Sequence, residues 1–478
     1  MLFTSTQYLV FLPTVAVAHF LLPASRRWAW LLLCSYVFYM AWEPFYVVWL
    51  WLATLVDYTA GRIIGGTDSQ RLKKLALLLS LATELGILFT FKYYDFFRKT
   101  AASLLSLGDI PMPLPPPSWV LPVGISFYTF QSIGYLVDVY RGQQRPERHL
   151  GRFALYVAFF PQLVAGPIER ASQLMPQLNR FRDFFYGDAV EGLRRILWGF
   201  VKKIVVADRL ALIVNPVYAA PEDFSGPVLA LATLAYAFQI YCDFSGYTDI
   251  AIGSARLFGV RLRENFRQPY FARSLGEFWT RWHMSLSTWF RDYVYIPLGG
   301  NRVHAALWVR NMLLVFLLSG LWHGAAWTFV FWGVLHGAGL VAERLIAPGL
   351  RFPDHGGWQA LRMVRTFLLV NIAWVFFRAQ SLSDAGYILW HMPRGWLVPA
   401  EDWAAAIAAL GIPPLELLLS IALIAGVVLA DAISLRGRFA LRFNALPVAI
   451  RWGAYSAALW AIFLWGVLRQ EEFIYFQF

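Results

Sequence analysis

The sequence predicts an all-α protein that crosses a membrane many times. Three observations lead there. Hydrophobic residues make up 59% of the chain and charged ones only 15%, where a soluble domain carries about 25% charged residues. The apolar residues come in long runs, at about 11–12 transmembrane helices of roughly 20 residues each. Lysine and arginine gather in short stretches between the runs, as the positive-inside rule expects. That distribution accounts for the formal net charge of +12 without a nucleic-acid partner, and no DNA- or RNA-binding motif accompanies the charge. The partner that composition does imply is the lipid bilayer. Residues 1–478 read as a single integral-membrane domain.

The first run, residues 8–22, precedes Arg26 and Arg27. That order reverses a secretory signal and predicts an uncleaved first helix with its N-terminus outside. The small residues Ala16, Val17 and Ala18 resemble a cleavage site and count against it. Residues 28–59 are too long for one span, and Glu43-Pro44 divides them into two helices. Arg71, Lys73 and Lys74 place the next loop in the cytoplasm, before a span over 75–91. The proline-rich 111–117 is a non-helical connector. A span over 120–140 then returns to a loop holding Arg141, Arg145, Arg148 and Arg152. Residues 153–168 are short, carry Pro161, Gly166 and Pro167, and have positive charge on both flanks. They predict a re-entrant segment, which is tolerated only where protein buries it or it lines a cavity.

Residues 196–218 lead outward to a connector with Glu222 and Asp223 but no lysine or arginine. Residues 229–258 lead back and include YCDFSGYTDIAIG, from Tyr241 to Gly253. Asp243 and Asp249 therefore lie at membrane depth. Two readings stand side by side: a functional acidic site, or a hydrogen-bond cluster holding a glycine-broken helix. The arginine-rich 261–302 follows. Within it Phe278, Trp282, Ser285 and Trp289 share one helical face, and Thr280, His283, Ser287 and Arg291 another. The pattern predicts an amphipathic helix at the cytoplasmic face, serving as an anchor or turning His283 into a cavity. Further spans are predicted over 308–320, 325–345, 363–377, 414–431 and 448–468.

The most informative stretch is 317–335, LLSGLWHGAAWTFVFWGVL. His323 sits there between Gly320 and Gly324. An ionisable group in an apolar run marks a functional site by default, and histidine can take and return a proton near neutral pH. A structural hydrogen bond between helices carries equal weight on residue type alone. Gly320 and Gly324, like Gly333 and Gly337, have the G-x-x-x-G spacing that lets membrane helices approach closely. Ser319, Trp322 and Arg281 are further candidates for binding substrate or lining its cavity.

Several chemistries are excluded. Cys34 and Cys242 are the two cysteines, and they form neither a disulfide framework nor a C-x-x-C metal site. The scattered His19, His304, His355 and His391 predict loop or interface positions, and no metal site is expected. Gly337, Gly339 and Ala342 match G-x-G-x-x-A, but no strand precedes them. There is no Walker loop, G-x-S-x-G elbow or H-E-x-x-H.

YCDFSGYTDIAIG, RWHMSLSTWFRDYVYIPLGG and SGLWHG together resemble the membrane-bound O-acyltransferase (MBOAT) family. FKYYDFF, PVGISFYTFQ, VAGPIER and the terminal FIYFQF are similar to its bacterial branch that O-acetylates extracellular polysaccharides, including alginate. The resemblance covers essentially the whole chain and implies helices around a central funnel. It implies that His323 and His283 are the catalytic pair. It further implies an inner-membrane O-acyltransferase taking acetyl groups from a cytoplasmic donor, acetyl-CoA, with no tightly bound cofactor. The acetyl group passes outward, to a polysaccharide such as alginate, by way of a periplasmic SGNH-type acetyltransferase. Other cargoes fit the same resemblance: D-alanine for teichoic acid, or acetate for peptidoglycan or cellulose. A transporter with a histidine and aspartate path is the reading from another class.

Overall fold

A computed structural model describes residues 1–164, 166–346, 356–397, 399–435, 437, 439–467 and 473–474. His355 and residues 475–478 of the terminal motif lie outside them. Among the described residues the regular structure is entirely helical. Among the same residues eight helices are long and apolar enough to cross a membrane, and Thr6–Leu21 is a shorter apolar one. The protein is multi-pass. The chain forms two compact units: residues 1–196, 248–264 and 291–293, and residues 197–247, 265–290 and 294–478.

In the first unit Ser5 caps α1 (Thr6–Leu21) by accepting the Tyr8 amide at 3.2 Å. Helix α2 (Ala24–Met40) ends before Glu43-Pro44, and a short 3-10 turn leads into α3 (Val47–Gly66). The predicted division at that proline is present. Helix α4 (Gln70–Leu88) passes through a π-helical turn, Phe89–Tyr93, into α5 (Tyr94–Leu105). The predicted 75–91 span is thus part of a longer helix, because the wider turn absorbs the irregularity instead of ending it. Helix α6 (Ile125–Tyr140) starts later than 120, after Gly124 at φ +76°. A Cβ at Gly124 would lie 2.5 Å from the Leu163 carbonyl oxygen, so only glycine fits this start.

The segment read as re-entrant consists of two short helices, α7 (Leu150–Ala158) and α8 (Phe160–Leu163), separated by Phe159. Both are buried over most of their length. Their break is satisfied within the protein. Ser35 Oγ accepts the Phe160 amide at 3.1 Å, and Gln131 donates to the Tyr156 carbonyl at 2.7 Å. Gln162 donates to Gln131 Oε1. This is how irregular backbone survives away from water. Helix α9 (Ala171–Asn179) and the first part of α10 (Tyr186–Phe200) complete the run.

In the second unit, α10 continues through a π-helical stretch, Val201–Ala207, into α11 (Asp208–Ala219). Helix α12 (Gly226–Leu257) is unbroken, contrary to the glycine-broken reading. Its glycines are contact points instead. A Cβ at Gly246 would come within 2.8 Å of the Gly199 oxygen, and, where the helix continues in the first unit, one at Gly253 within 2.6 Å of the Gly192 oxygen. The predicted amphipathic helix is two pieces, α13 (Leu275–Arg281) and α14 (Met284–Phe290). Helices α15 (Ala305–His323) and α16 (Trp327–Ile346) form a tight hairpin. Then come α17 (Gly356–Arg378), α18 (Leu382–His391), α19 (Ala400–Ala408), α20 (Pro414–Leu435), α21 (Phe439–Asn444) and α22 (Val448–Trp465).

The connector after α11 tests the direction of the chain. Glu222 and Asp223 are exposed there, and no basic residue holds them inside. Asp223→Cys is expected to react with a membrane-impermeant maleimide in intact spheroplasts. Arg145→Cys is expected to react only after permeabilisation, and the opposite pattern would invert the topology.

Candidate active site

Two breaks in helical structure set the site. The first ends α15 at His323, where Gly324 turns extended at φ −160° and ψ 149°. Close packing of the hairpin fixes this end. A Cβ at Gly320 would sit 2.3 Å from the Phe329 oxygen, and one at Gly333 2.2 Å from the Phe316 oxygen. The glycines thus do what their spacing predicts.

The second break is His283 itself, which lies between α13 and α14 at φ +42°. A left-handed non-glycine residue costs of order 1–3 kcal/mol and persists only where its surroundings hold it. Asn265, fully buried, supplies that hold. Its carbonyl oxygen accepts the Met284 amide at 2.9 Å, and its side-chain oxygen accepts the Ser285 amide at 3.2 Å. This bend overrides the continuous helical periodicity expected across 277–291. The two faces read from that periodicity therefore do not run through.

The breaks bring the two histidines together. Their ring centroids are 6.0 Å apart at an interplanar angle of 55°. Neither meets solvent: His283 is 0% and His323 1% exposed. Trp322 lies 5.6 Å from the His283 ring and 5.0 Å from the His323 ring. Phe244 lies edge-on to His283 at 4.6 Å, while Trp332 and Phe377 flank His323 at 5.0 and 5.4 Å. Burial pushes the His283 imidazole down to about 3, so it is neutral at physiological pH.

The remaining candidates divide. Ser319 is buried one turn before His323 on α15. Arg281 pairs with Glu277 at 2.6 Å and lines a separate pocket with Gln268 and Thr280. Asp243 pairs with Lys203 at 2.8 Å and accepts the Ile474 amide at 2.9 Å. Asp208 contacts the same lysine at 2.7 Å. Asp249 belongs to the other unit, where Arg195 bridges it to Glu264. Both aspartates are thus held in ion pairs. Removing one partner of a buried pair is strongly destabilising. Lys203 and Asp208 escaped the sequence reading although a lysine pair in the apolar 196–218 was visible. Asn265 had no comparable signal.

A cavity of about 1000 Å³ opens among α13, α15, α16 and α17. Leu335, Leu340, Leu369 and Ile372 form apolar wall, His336 lies on it, and Arg344, Arg362 and Arg365 line it together with Glu343, which pairs with Arg365 at 3.7 Å. Trp279 Nε1 donates to His336 at 3.3 Å, and the His336 ring packs on Trp332, which packs on His323. Among the described residues no group of three or more His, Cys, Asp or Glu side chains could hold a metal ion.

A multi-pass helical membrane protein with two histidines buried side by side is the class this geometry defines. Residues 148–383, which include both histidines, match the MBOAT, membrane-bound O-acyltransferase, family. The chain is 43% identical to the probable alginate O-acetylase of Azotobacter vinelandii, over 80% of this chain and 76% of the relative. Its counterpart in Pseudomonas aeruginosa is 42% identical, over 80% and 73%. The peptidoglycan O-acetyltransferase of Helicobacter pylori is 36% identical, over 79% and 77%. The chain belongs to the membrane-bound O-acyltransferase family and is an O-acyltransferase.

The buried His283 also makes stability depend on acid. Its folded-state pKa is depressed from 6.5 to about 3, so the unfolded chain binds a proton that the folded one refuses. The contribution is complete above 6.5 and is lost as pH falls toward 3. The melting temperature of detergent-solubilised protein is expected to drop over that window, and less steeply in His283→Gln. Parallel pH profiles would remove His283 from the cause.

Proposed function

We propose that His323 is the general base and His283 its partner in acyl transfer to a hydroxyl group. The observation that carries the reading is the 6.0 Å separation of two fully buried imidazoles. Attack on an acyl carbonyl requires a base for the nucleophile's proton and a donor for the tetrahedral oxyanion. In this reading His323 takes the proton and the neutral His283 donates an N–H to the oxyanion or orients the donor. The aromatic walls exclude the water that would hydrolyse an activated acyl group.

The donor is a cytoplasmic acyl thioester, acetyl-CoA in this reading. The arginine-bearing cavity supports it, having the volume of a ligand site and guanidinium groups suited to phosphates. The chain acts as one catalytic domain in the bacterial inner membrane. It passes acetyl outward for an extracellular polysaccharide such as alginate, with a periplasmic SGNH-type acetyltransferase completing the transfer. The alginate and peptidoglycan O-acetylating names of the relatives support acetyl as cargo. D-alanine and other acceptors belong to the same chemistry. A transporter would need charged side chains free to change partners, whereas Asp243 and Asp249 are both in ion pairs.

His323→Ala is expected to abolish polymer acetylation while the protein stays folded in the membrane. Loss of a general base lowers rate by on the order of 10²–10⁴. A structural hydrogen bond between membrane helices is worth only about 0.6 kcal/mol. His323→Gln keeps hydrogen bonding but cannot serve as a base at neutral pH. Normal polymer acetyl content in a strain whose only copy is well-expressed His323→Gln would defeat the mechanism. His283→Ala is expected to impair transfer less completely.

A further inference from the structure

His336 leaves one hydrogen bond unmade beside the cavity of the second unit. It lies on α16, is 2% exposed and lines that cavity. Trp279 on α13 donates to its Nδ1 at 3.3 Å. An indole N–H can only donate, so Nδ1 is the acceptor and the imidazole proton sits on Nε2. Among the described residues Nε2 has no hydrogen-bond partner. The rings of Phe278, Trp279, Phe316 and Trp332 surround the imidazole at 4.9–6.3 Å. The packing that holds the ring therefore leaves its N–H for whatever fills the cavity. A buried donor without an acceptor is costly.

The cavity also has a charged end. Arg344 follows His336 by eight residues on α16, about 12 Å at 1.5 Å per residue. Its guanidinium lies over the Trp308 ring at 4.3 Å, and Arg362 and Arg365 line the same cavity. Glu343 opposes them with one negative charge, and the Leu275 and Gly276 amides already donate to it at 3.2 and 3.0 Å. Three guanidiniums against one carboxylate suit phosphate. Leu340 and Leu369 form apolar wall of the cavity. A fitting ligand has phosphate at one end and, about 12 Å away, a hydrogen-bond acceptor within an otherwise apolar arm.

That spacing separates two phosphate-bearing amphiphiles. In a glycerophospholipid the ester carbonyl carbon lies five bonds from phosphorus, about 6 Å when an extended chain covers 3.3–3.6 Å per three bonds. Only methylenes follow, and they accept no hydrogen bond. In coenzyme A the second amide carbonyl of the pantetheine arm lies nine bonds from phosphorus, about 10–11 Å by the same measure. The acyl carbon of its thioester is five bonds further, about 6 Å. That is the height of Trp332, four residues and about 6 Å back along α16, whose ring is 5.0 Å from the His323 ring. We propose that His336 binds the acyl thioester by donating its Nε2–H to the second amide carbonyl of a phosphopantetheine arm. The assignment rests on the reading of the acyl source as a coenzyme A thioester and adds the residue that sets its depth.

The test is isothermal titration of purified full-length protein in detergent with coenzyme A, and with adenosine 3′,5′-bisphosphate, which has phosphates but no arm. His336→Phe keeps an aromatic ring without the N–H. It is expected to weaken coenzyme A on the order of tenfold and to leave the bisphosphate unchanged. His336→Gln restores a side-chain N–H and is expected to recover most of the affinity. His336→Leu repeats the comparison if His336→Phe does not fold. Equal affinity for coenzyme A in wild type and His336→Phe would overturn the assignment and leave the thioester reading intact. An equal loss for both ligands would also overturn it, as a general disturbance of the cavity. So would a loss of thermal stabilisation by phosphatidylglycerol with coenzyme A affinity unchanged, which would give the cavity to lipid. Wild-type protein that binds no coenzyme A would overturn the thioester reading itself, and this assignment with it.

Discussion

Lipid supplies no water to solvate a charge or an open backbone amide, and this constraint organises the polar groups of the molecule. Lys203 answers two carboxylates, Asp208 and Asp243, in the second unit. Arg195 answers Asp249 and Glu264 in the first. The backbone break at Phe159 is satisfied by Ser35. The left-handed bend at His283 is held by two hydrogen bonds to Asn265. The break at Phe159 and the bend at His283 are thus each matched by a polar partner from elsewhere in the chain. The histidine pair can then sit among tryptophan and phenylalanine rings without the surrounding backbone losing its hydrogen bonds.

Much of the fold was legible because membrane helices leave coarse signals. Glu43-Pro44 ends one helix and begins another where proline chemistry demands it. The apolar run around His323 is divided into a hairpin at the predicted place, with Gly320 and Gly333 at its closest approach. What was not legible depends on partners distant in sequence. Periodicity across 277–291 favours one helix, and only contact with Asn265 makes the bend at His283 tenable. The π-helical turns at Phe89–Tyr93 and Val201–Ala207 shift register without any breaker residue to announce them.

The candidate site was readable in its residue types and only partly in its arrangement. His323 stood out because an ionisable group in an apolar run is conspicuous, and His283 because of the motif around it. Their proximity follows from two separate helix ends, which no single window of sequence contains. Asp243 and Asp249 stood out for the same reason as His323, yet each has a cationic partner while the histidines meet in an aromatic enclosure. Among intramembrane ionisable groups, the company a residue keeps distinguishes it more sharply than its depth.

The glycine contact between α15 and α16 also bears on how the protein meets bilayers of different thickness. A hydrophobic mismatch can be relieved by tilting helices, by deforming the bilayer, or by sliding one helix along its neighbour. Sliding is closed to this pair, because the backbone at Gly320 and Gly333 is already in contact and any offset drives a side chain into a carbonyl group. The hairpin must therefore respond as one rod, and His323 keeps its height relative to Trp332 in thin and thick membranes alike.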